Sequence, residues 1–153
     1  MNKNVLRFAI LSLCLIFSSV FAASKAEKEE VQNAYYAWCE TIGTAKGNAN
    51  DVVKFYAPNA ILLPTLSHKI LRNTNGGMNE YFTHLTSYPN IKCTPKELIT
   101  HLEGHVAVNS GLYSFSFTDK EGHEKVIPAR FTFVYKKIDH QWMIIKHHSS
   151  KMP

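Results

Sequence analysis

The residues best suited to acid–base chemistry lie at the C-terminal end of the chain. His147 and His148 are followed directly by Ser149 and Ser150. A histidine titrates near neutral pH, so His148 is a candidate general acid or base. Nucleophilic catalysis by a His–Ser pair is not indicated, because no glycine elbow precedes these serines. We expect Ser149 to satisfy backbone groups at the end of a strand, whereas Ser150 remains a candidate binding residue.

An arginine stands in the middle of an aromatic strand. Arg130 needs a partner there, because an unpaired charge is costly to bury. That partner is either the carboxylate of a ligand, held by the planar guanidinium, or one of the carboxylates of Glu40, Glu97 and Glu103. Both alternatives stay open from the residues alone. The further candidates for binding a ligand are Arg72, Tyr56, Tyr81, His147 and Ser150.

A metal site is not indicated. The chain has 8 histidines, but those outside the terminal pair are scattered over loops and strands. Zinc needs three or four ligands that converge, usually with a recognisable spacing. We therefore predict no metal and no other cofactor.

Period-two alternation from residue 91 onwards predicts the strands that position these residues. Aromatic residues occupy one face of residues 106–118 and of residues 126–138. Strict alternation in the last strand places Trp142, Ile144, Lys146, His148 and Ser150 on one face, and Met143, Ile145, His147 and Ser149 on the other. At most one of the two histidines then faces a cavity.

Helices precede these strands. Apolar residues recur at helical spacing behind Ser24, which predicts a long amphipathic first helix. Two shorter helices are predicted at residues 51–56 and 78–88, with a short strand pair between them. Helices first and an antiparallel meander last indicate an α+β fold, in which the N-terminal helices pack in a strongly bent antiparallel sheet.

The first 22 residues have the layout of a secretory signal peptide. Lys3 and Arg7 precede an apolar run, and Val20 and Ala22 suit a cleavage site after residue 22. The remaining residues, 23–153, form one domain of ordinary size. We expect this domain to be secreted or periplasmic, with no attachment to the membrane after cleavage. Cys39 and Cys93 could then form a disulfide or remain two buried thiols.

The charge pattern excludes one class of partner. The chain carries 17 basic and 12 acidic residues, and Lys136-Lys137 is the only adjacent basic pair. No basic stripe of the kind that binds nucleic acid is present, so we predict no nucleic-acid partner.

Several segments resemble the association domain of calcium/calmodulin-dependent protein kinase II, in particular its bacterial, exported members. They are FYAPNAILLP at 55–64, YF at 81–82, GLYSF at 111–115, ARFTFVY at 129–135, and the ending that runs from Trp142 to HHSSKMP at 147–153. This resemblance implies a cone-shaped, nuclear transport factor 2-like fold, shared with ketosteroid isomerase and SnoaL-type cyclases. It also implies self-association into homodimers or higher oligomers, and a polar cavity inside the cone.

Kinase activity and calmodulin binding are not expected. The chain lacks the glycine-rich loop and the catalytic motifs of a kinase, and it has no basic amphipathic helix of the calmodulin-target type. Our leading hypothesis is an exported homo-oligomer whose arginine-containing cavity takes a small anionic molecule. The alternative is an enzyme of the SnoaL or ketosteroid isomerase type, with His148 as its acid or base.

Overall fold

The computed structural model describes residues 3–65 and 67–153, with side chains from residue 24 onwards. Its elements in chain order are α1 (Lys3–Thr44), α2 (Ala49–Val53), β1 (Tyr56–Leu63), β2 (Leu71–Arg72), a 3-10 turn (Asn73–Asn75), α3 (Gly77–Thr86), β3 (Lys92–Glu103), β4 (Val106–Thr118), β5 (Glu124–Ile138) and β6 (Gln141–Lys151). The signal peptide predicted at residues 1–22 lies outside the part whose side chains are described, so its cleavage stays a prediction. In the described residues no helix has both the length and the hydropathy of a membrane span.

Helix α1 supplies one layer of the core. Its buried residues recur every three or four positions, as the sequence predicted for an amphipathic helix. They are Val31, Tyr35, Trp38, Cys39 and Ile42, each at most 2% exposed. The helix begins at Lys3, so the prediction that it starts near Ser24 is wrong.

Six strands form one curled, open sheet in the order β2-β1-β6-β5-β4-β3. Every ladder is antiparallel except the one between β1 and β6, which is parallel. The α+β class is therefore confirmed. The parallel pairing of β1 with β6 is an addition to the predicted antiparallel sheet. Strand β4 spans the residues predicted for it, and β5 begins two residues earlier than predicted.

A β-bulge interrupts the last strand. Lys146 pairs with Val134 and Ile144 pairs with Tyr135, so Ile145 is the extra residue on β6. The predicted strict alternation is therefore wrong: His147 is buried on the same side as Ile144, and His148 is exposed. Without the bulge, Lys146 would have pointed into the apolar core, where an unpaired ammonium is costly.

A disulfide ties α1 to the first residues of β3. Cys39 and Cys93 are bonded, their α-carbons are 5.2 Å apart, and 54 positions separate them in sequence. Closing a loop of this length stabilises the fold by about 4 kcal/mol in the chain-entropy model. The bond therefore holds α1 against β3, and both cysteines are part of the buried core.

The sheet has two unlike faces. The inner face packs against α1 and carries the aromatic residues Tyr113, Phe131, Phe133 and Tyr135, each at most 4% exposed. The outer face is turned away from α1, and it mixes aliphatic, hydroxyl and charged side chains. Its members from the five long strands include Ile61, Leu63, Glu97, Ile99, Val108, Ser110, Leu112, Val126, Arg130, Thr132, Val134, Lys146, His148 and Ser150.

Candidate functional site

A buried chain of hydrogen bonds crosses the inner face around His147. The imidazole Nδ1 lies 2.8 Å from the Tyr56 hydroxyl, and Nε2 lies 3.5 Å from the Tyr113 hydroxyl. Trp38 of α1 covers the ring edge-on, with centroids 5.4 Å apart. The parallel ladder between β1 and β6 and the bulge in β6 together bring Tyr56 and His147 face to face.

The chain continues towards the end of β6. The Tyr113 hydroxyl donates to Ser149 Oγ over 2.7 Å, and Ser149 in turn shares a short hydrogen bond with Thr65 just after β1. Ser149 therefore does more than cap backbone groups at a strand end. Five side chains form one connected path: Tyr56, His147, Tyr113, Ser149 and Thr65.

Burial keeps this path uncharged. It lowers the pKa of His147 well below the ordinary value of 6.5, with a smaller contribution from the neighbouring His148. Burial likewise raises the pKa values of the Tyr56 and Tyr113 phenols well above their ordinary value. At neutral pH the imidazole and both phenols are therefore neutral, and each can accept and donate one hydrogen bond in the path.

An aromatic pocket opens at the Thr65 end of the path, between α3 and the ends of β4 and β5. Its volume is about 270 Å³. Burial raises the pKa of Tyr81, which lies in its wall, to about 12. The lining residues are Thr65, Tyr81, His84, Leu85, Tyr88, Phe115, Phe117 and Ile127.

A second concavity, the outer cleft, lies on the opposite face of the sheet. It measures about 430 Å³ and contains Arg130, whose Nε donates to Ser150 Oγ over 3.1 Å. The exposed His148 lies on the adjacent strand. The lining residues are Ser110, Gly111, Arg130, Phe131, Thr132, His148 and Ser150.

Two predicted placements are wrong. Arg130 does not lie inside the cone, because alternation in β5 turns it away from Phe131 and its buried neighbours. His148 does not face the cone either, because of the bulge before it. Its predicted role as acid or base stays a prediction, and it would apply only to a substrate in the outer cleft.

Of the other candidates, all but Arg72 lie in the buried path, the aromatic pocket or the outer cleft. Tyr56 and His147 meet in the buried path, Tyr81 lines the pocket, and Ser150 joins Arg130 in the cleft. Arg72 is exposed at the end of β2 and lines neither concavity. Within the described part of the chain, Arg130 forms no ion pair with Glu40, Glu97 or Glu103.

Sequence reasoning missed the roles of Tyr113 and Thr65. The aromatic alternation of β4 pointed Tyr113 towards the core, but nothing in the sequence pairs it with Ser149. Thr65 stands in a turn that is remote in sequence from β6, so only the folded chain shows their contact. No group of three potential metal ligands occurs among the residues with described side chains.

The helices wrapped in a curled sheet, with a pocket at the open end, define the nuclear transport factor 2-like class of α+β proteins. The profile of the calcium/calmodulin dependent protein kinase II association domain matches residues 27–153. The chain belongs to this family, which confirms the resemblance seen in its segments.

Solved structures agree with this assignment. A protein from Xanthomonas campestris, described as a candidate association domain of this family, is 36% identical, with a TM-score of 0.73 over 81% of this chain and 86% of that one. The association domain of the Caenorhabditis elegans kinase is 14% identical, with a TM-score of 0.67 over 84% and 98%. A candidate dehydratase of the nuclear transport factor 2-like family from Streptomyces avermitilis is also 14% identical, with a TM-score of 0.73 over 84% and 97%. The last two likenesses show the fold alone, and a search of curated proteins found no match.

Proposed function

We propose that this chain is an exported, self-associating protein whose subunits pair through the outer face of the sheet. In this proposal the Arg130 guanidinium binds a carboxylate. One observation carries the proposal: Arg130, Leu112 and Glu97 form a single cross-strand row on that face. The row places opposite charges on either side of an aliphatic centre. Membership of the association domain family supports the proposal independently.

The aliphatic residues of the outer face favour a protein partner. Leu63, Ile99 and Val126 are 40%, 50% and 59% exposed, while Val108, Leu112 and Val134 are half-buried beside them. Exposed apolar side chains with polar residues interspersed are common in protein–protein interfaces. A second copy of the same sheet offers a surface of matching chemistry.

The row also fixes how two copies would meet. Neighbouring strands lie about 4.8 Å apart, so roughly 10 Å separates the α-carbons of Arg130 and Glu97 within one subunit. A two-fold axis that runs along β4 over Leu112 exchanges these two positions. Each Arg130 then faces Glu97 of the second copy, and Leu112 faces its own counterpart. Two such charge pairs form for each dimer.

Export is supported by the cysteines as well as by the N-terminal residues. Disulfides persist in oxidising compartments and are rare in the cytosol of most organisms. The buried Cys39–Cys93 bond is therefore consistent with a periplasmic or secreted protein.

Charge reversal with rescue tests the pairing. Sedimentation velocity should show an oligomer for the wild type, and Arg130→Glu should shift the population to monomer because like charges then oppose each other. The double variant Arg130→Glu/Glu97→Arg should restore the oligomer. Lys120→Glu, which makes the same charge change in the β4–β5 turn, is the control and should leave association unchanged. A monomeric wild type, or a double variant that stays monomeric, would refute the proposal.

A small carboxylate in the outer cleft is a second candidate. The terminal nitrogens of Arg130 have no partner among the described residues, and a planar guanidinium binds carboxylates in a bidentate manner. Titration with succinate should then raise the melting temperature of the wild type but not of Arg130→Ala. Arg72→Ala, which removes an arginine from outside the cleft, should keep the response. If succinate has no effect while charge rescue succeeds, the carboxylate at Arg130 belongs to the second copy.

A further inference from the structure

The buried hydrogen-bond path has a direction. The Tyr113 hydroxyl donates its one proton to Ser149, so Nε2 of the neutral His147 carries the ring proton and Nδ1 accepts a hydrogen bond from the Tyr56 hydroxyl. Nε2 then faces the Tyr113 oxygen as a donor, over 3.5 Å. The Tyr113 hydroxyl donates its own hydrogen bond to Ser149 Oγ. The donors therefore all point from Tyr56 towards the end of β6.

Thr65 is the last member of this path. Either hydroxyl can donate in the bond between Ser149 and Thr65. In the direction that continues the path, Ser149 accepts from Tyr113 and donates to the oxygen of Thr65. A hydroxyl carries one proton, and that of Thr65 is consequently free to be donated onwards. Thr65 also lines the aromatic pocket. The pocket thus presents a hydroxyl donor whose oxygen is already engaged.

We infer that the aromatic pocket binds a small, uncharged single-ring molecule bearing a hydrogen-bond acceptor, and that Thr65 donates to that acceptor. This site lies inside the cone, away from the outer cleft, and it does not depend on the proposed pairing of subunits. A carbonyl oxygen is the acceptor that suits a neutral hydroxyl donor in an apolar wall.

The size of the pocket sets the size of the molecule. A buried apolar cavity of about 150 Å³ accommodates benzene, and this pocket measures about 270 Å³. The space therefore fits one aromatic ring with a short substituent. Tyr88 and Phe117 form part of the wall, with ring centroids 4.5 Å apart, and offer faces and edges against which a ring packs.

The lining also argues against a charged ligand. It contains no lysine, arginine, aspartate or glutamate among the described residues, and His84 is an exposed residue in the wall. A carboxylate placed there would lose its hydration without gaining a cation, which is costly. The inner pocket and the outer cleft therefore select different molecules, a neutral acceptor and an anion.

Two compounds of similar shape test the inference. Acetophenone carries a carbonyl oxygen, and isopropylbenzene has a methyl group in its place. Ligand-detected NMR titration should show that the wild type binds acetophenone about two- to ten-fold more tightly, the range expected for one neutral hydrogen bond. Thr65→Val keeps the shape of the side chain and removes its hydroxyl. The carbonyl of acetophenone is then left without a donor, so the ratio of the two affinities should fall to one or below.

Two further variants keep the test decisive. Thr65→Ser retains the hydroxyl and should retain the preference for acetophenone, even if Thr65→Val folds poorly. Ile127→Trp fills the pocket and should abolish binding of both compounds. Failure of the wild type to bind either compound at millimolar concentration, equal affinities in the wild type, or an unchanged ratio in Thr65→Val would each overturn the inference.

Discussion

The buried imidazole of His147 makes stability depend on pH. The side chain is 3% exposed, and burial holds its pKa in the folded protein well below 6.5. In the unfolded chain the same histidine takes up a proton near pH 6.5. Between these two values the unfolded state binds more protons than the folded state. The free energy of unfolding therefore falls as the pH falls through 6.5.

The size of this effect follows from linkage. A histidine that stays neutral in the folded protein down to pH 5 and titrates at 6.5 when unfolded costs about 2 kcal/mol of stability between pH 7 and pH 5. The groups that contact the ring do not offset this loss. Tyr56 and Tyr113 are neutral phenols at these pH values, and a positive charge on His148 would repel a second one on His147.

Urea unfolding at pH 7 and pH 5, followed by tryptophan fluorescence, measures the loss. We expect His147→Gln to be less stable than the wild type at pH 7 but to lose about 2 kcal/mol less on going to pH 5. His148→Gln is the matched control, because this neighbour is exposed, and it should lose as much as the wild type. Equal losses in the wild type and His147→Gln would refute the assignment of a buried neutral imidazole.

Two further predictions concern the framework that holds these sites. Replacing both cysteines, Cys39→Ala/Cys93→Ala, should lower the free energy of unfolding by about 4 kcal/mol, and a reducing agent should destabilise the wild type but not the double variant; identical stabilities would contradict a structural role of the bond. Gly111→Ala should destabilise by roughly 1–3 kcal/mol or more, because a Cβ at this position would overlap the backbone carbonyl of Glu97, which cannot move as a flexible side chain can. Urea unfolding should show no comparable loss for Ser110→Ala, and wild-type stability of Gly111→Ala would disprove the close approach of the strands.

Much of the fold could be predicted because local patterns agree with it. Alternation in β4 and β5 and the 3.6-residue period of α1 each predict one inward-facing set of residues, and the structure buries or half-buries these sets. The β1–β6 ladder was not predictable in this way. No turn links these two strands, so their register and parallel direction arise only when the whole sheet assembles.

The candidate site shows where alternation is insufficient. One extra residue in β6 exchanges the faces of His147 and His148, and with them the inner and outer chemistry. Lys146 could have indicated the bulge, because strict alternation would have buried its ammonium on the same face as Trp142. The partners of His147 come from β1, β4 and α1, and spacing alone could not pair them. For the same reason the sequence left open whether Cys39 and Cys93 meet.

Pairing of two subunits over Leu112 is the central claim, and a short thiol cross-linker tests it directly. Facing sheets pack about 10 Å apart, so a cysteine introduced as Leu112→Cys should lie within reach of its own counterpart across the two-fold axis. A bismaleimide with a spacer of about this length should convert the variant to a covalent dimer, as judged by denaturing electrophoresis. Lys120→Cys, in the β4–β5 turn, should remain monomeric under the same conditions. Equal yields from the two variants, or no dimer from Leu112→Cys, would contradict pairing through the outer face.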